Sequence, residues 1–143
     1  RTEEQKRAII SRYEMMKLKK DITKKRALSR WFTETFIQKN PEIYKKIYSM
    51  LENTNFKTWL KVYKLFVYHE DNDDNIKQIK ANTLVVTGKD DIGSKPIMSE
   101  KLSELIKGSK YKTIDKGKHL CNIECAEAFN KMIKKFIDSN KNV

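Results

Sequence analysis

The 143 residues carry a formal charge of +12 and are 38% hydrophobic and 35% charged, enough chain for one ordinary domain with a polar surface, at a mean hydropathy of −0.74. No apolar run approaches the roughly 18 residues of a membrane-crossing helix, which excludes such a segment within this stretch. The charge comes from 26 Lys against 5 Arg spread along the whole chain; base and phosphate recognition favours the planar fork of Arg, so the excess reads as compositional bias, with no nucleic-acid partner.

The first half has helical periodicity. Ile9, Ile10, Tyr13 and Met16 share one face of a helix predicted over 3–19. The cluster Lys17, Lys19, Lys20, Lys24, Lys25 and Arg26 reads as a solvated helix junction. A second stripe, Leu28, Trp31, Phe32, Thr35 and Phe36, repeats at helical spacing before Asn40-Pro41. Asn40 is expected to cap a third helix whose first residue is Pro41, since proline lacks only an N–H that has no partner there. Ile43, Tyr44, Ile47, Tyr48 and Leu51 line that helix. Asn55 is expected to cap a fourth, with the stripe Phe56, Trp59, Leu60, Tyr63, Phe66 and Val67. His69 falls at its end, where a charged imidazole suits the helix dipole. Glu70-Asp-Asn-Asp-Asp74 is a polar break, and a boundary between two regions is placed there.

The second half changes period. Residues 83–87 form a continuous β-prone run, as in a strand covered on both faces. Pro96 opens a helix carrying Met98, Leu102, Leu105 and Ile106, with Gly108 as its C′ residue. Residues 111–114 make a second strand. Residues 126–137 make a last helix, with Ala128, Phe129, Met132, Ile133, Phe136 and Ile137 facing inward. A strand–helix–strand–helix order of these lengths is a βαβα unit with two parallel strands and a right-handed crossover. Two such strands need neighbours, so further strands are expected outside this stretch. Cys121 and Cys125 complete no set of zinc ligands, and no metal site is expected. They read as reduced, partly buried thiols, which favours a cytoplasmic setting.

In open α/β sheets, reacting groups gather outside the carboxyl ends of the strands. Asp91 follows Thr83-Leu-Val-Val-Thr-Gly88, and His119 follows the second strand within Gly117-Lys-His119. Parallel strands bring both to one rim, where a carboxylate-held histidine can take a proton from a hydroxyl nucleophile and return it to a leaving group. The nucleophile is missing: no G-x-S-x-G occurs in the chain.

These features resemble the α/β-hydrolase superfamily, whose triad runs Ser, Asp/Glu, His along the chain. The likeness rests on Thr83-Leu-Val-Val-Thr-Gly-Lys-Asp-Asp91, on Gly117-Lys-His119-Leu-Cys-Asn-Ile-Glu124 and on Ala126-Glu-Ala-Phe-Asn130. Arg30-Trp-Phe-Thr33, Phe36 and Asn40-Pro-Glu42 look like the cap of 3-oxoadipate enol-lactonase-like members in particular. Cys125 stands where the family often has proline. The resemblance implies the C-terminal part of an α/β-hydrolase fold, with residues 1–70 a helical cap and residues 71–143 the end of the core. It implies Asp91, third after the strand-end glycine, as the triad acid in preference to Asp90, and His119 as the base. Trp31, Phe32 and Trp59 become candidates for contact with a substrate under the cap; the plainer reading is that such aromatics pack cap helices together. The implied activity is serine-type hydrolysis of a small carboxylic ester or lactone without a cofactor. The first strands, oxyanion loop and nucleophile elbow would belong to a missing N-terminal half, and the chain alone is expected to be inactive. A non-catalytic scaffold of the same fold and a basic helical module are the alternatives.

Overall fold

The structure, a computed structural model, describes residues 2–18, 20–70 and 73–140, with backbone only for 20–23. Lys19 of the basic cluster and Asp71 and Asn72 of the polar break lie outside the described residues. The chain divides into two compact units, Arg1–Leu28 with Asn40–Asp71 and Ser29–Lys39 with Asn72–Val143. The segment Ser29–Lys39 therefore groups with the C-terminal half, across the sequence break near residue 70.

The first unit is helical. Helix α1 (Glu3–Leu18) buries Tyr13 and Met16 and lies against α5 (Phe56–Tyr68). Between them run the greater part of α2 (Lys20–Trp31), then α4 (Pro41–Asn53). Asn55 caps α5 as expected, its side chain accepting from Thr58 N at 3.0 Å. Asn40 occupies the cap position of α4 but its side chain makes no capping bond; the Pro41 start suffices to end the preceding turn. The aromatic stripe of α5 stacks along itself, Phe56 on Trp59, Trp59 on Tyr63 and Tyr63 against Phe66, and Tyr63 stacks on Tyr13 of α1. No described helix is long and apolar enough to cross a membrane.

The second unit departs from the predicted stripe of residues 28–36. That helix is broken: α2 ends at Trp31 and α3 (Glu34–Lys39) begins anew. The cause is Thr33, whose hydroxyl accepts from Phe36 N at 3.2 Å in the manner of an N-cap. Phe32, at the break, is wholly buried and stacks on Phe36, with ring centroids 5.0 Å apart.

A short helix, α6 (Asp73–Lys77), precedes the βαβα unit: β1 (Leu84–Gly88), α7 (Pro96–Leu105), β2 (Lys110–Ile114), α8 (Cys121–Glu124) and α9 (Ala126–Asp138). The strands are parallel, in register from Leu84 opposite Lys110 to Gly88 opposite Ile114. Helix α7 packs on both strands, and Tyr111 donates to Pro96 O at 3.0 Å. β1 alternates buried Val85 and Thr87 with half-buried Leu84 and Val86, so both of its faces are partly covered. β2 is wetter, with only Ile114 buried. Gly108 lies beyond the C-cap residue Ile106, at φ 76°, and turns the chain into β2 without being the C′ residue of α7. On α9, Phe129, Met132, Ile133 and Phe136 are half-buried as the periodicity requires, but Ala128 and Ile137 are exposed. A helix stripe covered on one side only leaves its flanks in water.

The strand ends are joined by backbone. Lys89 N donates to Ile114 O at 2.9 Å and Asp90 N to Gly117 O at 3.0 Å, carrying the ladder past both strands into the loops. Gly88 permits this approach. A Cβ there would stand 2.2 Å from Gly117 O and 2.3 Å from Lys118 O, both rigid backbone atoms. Gly117 in turn packs under α8, where a Cβ would meet the Cys121 Cβ at 2.8 Å. Cys121 is buried, Cys125 half-buried, and both are free thiols. Burial pushes the Cys121 thiol up, and the charge of Asp91 adds to this. Burial likewise raises Cys125, with Glu124 adding to it.

Two outcomes follow from this packing. Gly88→Ala should cost about 3 kcal/mol, because the Gly117 carbonyl cannot move without losing its bond from Asp90 N; urea unfolding would show a native-like midpoint if the close approach were not real. Raised thiol pKa values lower the thiolate fraction at a given pH. Iodoacetamide labelling at pH 8, followed by mass spectrometry, should therefore be slower in the folded chain than in urea, and slowest at Cys121; equal rates in both states would contradict this.

Candidate active site

Asp91 is the residue at which the β1 loop turns inward. Its N–H donates to Gly88 O at 3.2 Å, closing a tight turn. Its Oδ1 then accepts from Gly93 N at 2.7 Å and Ser94 N at 3.0 Å, an Asx-type turn built by the side chain on its own loop. Thr87 reaches across the same loop to Ser94 O at 3.1 Å. Asp90, its neighbour, is exposed and contributes only its backbone.

The loop after β2 passes through Lys116, at φ 59°, and Gly117 before it presents His119. His119 Nδ1 lies 2.8 Å from Asp91 Oδ2. A carboxylate only accepts, so the ring nitrogen donates, and in the neutral ring Nε2 keeps its lone pair. The Asp91 side chain is 4% exposed and that of His119 is 43% exposed. The acid is thus shielded, while the imidazole is reachable from solvent.

The segment Ser29–Lys39 closes over this loop. Leu120 N donates to Trp31 O at 3.1 Å and Lys118 Nζ to Ser29 O at 2.9 Å. The Trp31 ring stacks on the imidazole, with centroids 6.4 Å apart and planes inclined by 26°. Glu124, the last residue of α8, accepts from Thr33 N at 2.8 Å and from the Thr33 hydroxyl through Oε1, and from Lys118 N at 2.9 Å through Oε2.

Of the residues singled out from sequence, Asp91, His119 and Trp31 come together. Phe32 has no exposed surface, so it offers nothing for a ligand to touch in this chain. Trp59 belongs to the other unit, within the aromatic stack of α5. Glu124 and Thr33 were read only as parts of motifs, without a role. A threonine ahead of Glu34 and an apolar residue at 36 is an N-cap pattern, and it was the available signal for the break at Thr33. Nothing local foretells the bond to Glu124, 91 residues away.

No family model matches the chain. It is similar to a proline iminopeptidase from Lactobacillus acidophilus, 28% identical over 67 residues that cover 47% of this chain and 22% of that protein. Among solved structures it is similar to the enol-lactonase from Burkholderia xenovorans LB400, with a TM-score of 0.82 and 23% identity, covering 90% of this chain and 49% of that one. It is also similar to a thermophilic esterase from Thermogutta terrifontis, with a TM-score of 0.81 and 20% identity, covering 97% and 52%. The chain spans about half the length of these solved structures and less than a quarter of the curated relative. At such identities the likeness establishes architecture: this chain has the fold of the C-terminal part of an α/β hydrolase.

Proposed function

We propose that Asp91 and His119 are the acid and base of a nucleophile–His–acid triad in a hydrolase of carboxylic esters or lactones. The observation that carries this reading is the 2.8 Å contact from His119 Nδ1 to a shielded Asp91 carboxylate, with the imidazole itself open to solvent. The enol-lactonase and the esterase among the structural neighbours supply the substrate class. No G-x-S-x-G stands in these 143 residues, so the nucleophile is assigned to sequence beyond them. The helices of the first unit are assigned to the cap of the same enzyme.

In this reaction Nε2 of His119 takes the proton of the nucleophilic hydroxyl as its oxygen attacks the substrate carbonyl. The carbonyl π electrons move to oxygen, giving a tetrahedral oxyanion that needs N–H donors from the other half of the fold. As the oxyanion collapses, the C–O bond to the leaving group breaks, and the imidazolium returns its proton to that oxygen. Water then repeats the sequence on the acyl-enzyme, with His119 again as base. Asp91 holds the Nδ1–H tautomer and offsets the charge of the imidazolium. The Trp31 ring, beside the imidazole with centroids 6.4 Å apart, is assigned to the side where the leaving group receives its proton. Phe32, being buried, supports the fold and not the substrate.

The 143-residue chain alone should not turn over a simple aryl ester. In the protein that also carries the nucleophile, Asp91→Asn should lower kcat by about 10⁴-fold through the wrong tautomer, and His119→Ala by at least as much, with circular dichroism unchanged. Hydrolysis by the chain alone, or near-native kcat in the His119 variant, would sink the assignment.

A further inference from the structure

We infer that Glu124 is a positioning residue for His119, acting through Lys118 and Thr33; this rests on the hydrolase reading for its purpose, though not for its geometry. Glu124 stands six residues after Lys118 and folds back to accept its N–H at 2.9 Å, closing the loop that bears His119 into a ring. The other oxygen of the same carboxylate takes both donors of Thr33, at the break between α2 and α3. One carboxylate therefore clamps the peptide just before His119 to the segment whose Trp31 ring lies against the imidazole.

The remaining backbone around His119 is held from other directions. On the following side, Leu120 N donates to Trp31 O at 3.1 Å. Below, Gly117 O accepts from Asp90 N, and the carbonyls of Gly117 and Lys118 rest against Gly88. Glu124 supplies the tie on the preceding side, from Lys118 N to Thr33, beside the backbone tie from Leu120 N to Trp31 O. Its carboxylate is acceptor-only and meets three donors, two of them backbone N–H groups. A glutamine keeps the volume but replaces one accepting oxygen by a donor, so it can satisfy the Thr33 side or the Lys118 side and not both. An alanine satisfies neither. Release of either end frees the loop to shift, and with it the direction in which Nδ1 faces Asp91.

The test is to follow the His119 ring nitrogens by long-range proton–nitrogen NMR near pH 7 in the 143-residue chain and in its Glu124→Gln, Glu124→Ala and Thr33→Val variants. The starting chain should show one tautomer, with a downfield, slowly exchanging Nδ1–H bonded to Asp91. Glu124→Gln and Thr33→Val should keep the β1–β2 amide shifts while the imidazole becomes a mixture of tautomers and its Nδ1–H exchanges faster. If Glu124→Ala does not fold, these two milder variants decide alone. A lower melting temperature with the His119 signals untouched would mean that Glu124 is only structural, and would overturn the inference. In the protein that carries the nucleophile, Glu124→Gln should lower kcat on the order of 100-fold with KM little changed, as for a misplaced catalytic group. Absence of hydrolysis by that whole protein would remove the hydrolase reading, yet leave the NMR result on the clamp standing.

Discussion

The buried carboxylate of Asp91 is the constraint around which the C-terminal unit is arranged. Removing an ionised carboxylate from water costs several kcal/mol unless its lone pairs find donors. Asp91 finds three. Gly93 N and Ser94 N come from its own loop, which requires the chain to turn sharply just after β1. The third is His119 Nδ1, 28 residues on, which requires β2 to run parallel and the next loop to cross over Gly88. The imidazole is therefore held in place partly because the carboxylate needs it. The same bond that orients the imidazole makes the burial of the carboxylate tolerable.

Charge pairs on the same rim do less. Lys89 Nζ and Asp115 Oδ1 are 3.1 Å apart and span the same two loops, but their side chains are 64% and 78% exposed. Such a pair contributes roughly 0–1 kcal/mol and weakens further with salt. The position of the loops comes instead from the Lys89 and Asp90 N–H bonds across the strand ends, and from the absence of a side chain at Gly88. Backbone bonds of this kind have fixed length and direction. Flexible lysine side chains, each losing rotamer freedom to hold a contact, could not set an Nδ1–carboxylate geometry to a few tenths of an ångström.

The βαβα unit and the acid–histidine pair were legible because both depend on local patterns. An apolar β-prone run, a Pro-initiated helix and a Gly-flanked loop each announce themselves within a few residues. Once the strands are parallel, Asp91 and His119 must share a rim. The break at Phe32–Thr33 was not read, because the stripe from Leu28 to Phe36 keeps helical spacing across it. Spacing cannot tell one bent helix from two; the Thr33 cap marks the break locally, but the bond that ties it to Glu124 lies far along the chain. The grouping of Ser29–Lys39 with the C-terminal half was hidden for the same reason. Ala128 and Ile137 were expected inside from α9 periodicity alone; how wide a stripe is covered depends on what lies against it, which one helix does not encode.

Trp31 joins two roles that substitution can separate. Its carbonyl accepts from Leu120 N and so belongs to the scaffold, whatever the side chain. Its ring stacks on His119 and so belongs to the site. The indole lies beside the imidazole, with ring centroids 6.4 Å apart, and leaves that ring open to solvent. In the proposed reaction, the indole is assigned to the leaving-group side of the imidazole. Replacing the indole by another flat or apolar side chain keeps the backbone bond and the Asp91–His119 pair, while it changes the surface offered to the substrate. The two contacts thus rest on different atoms: the Asp91–His119 pair on the loops after β1 and β2, and the indole beside it on a segment 88 residues upstream of His119 (119 − 31).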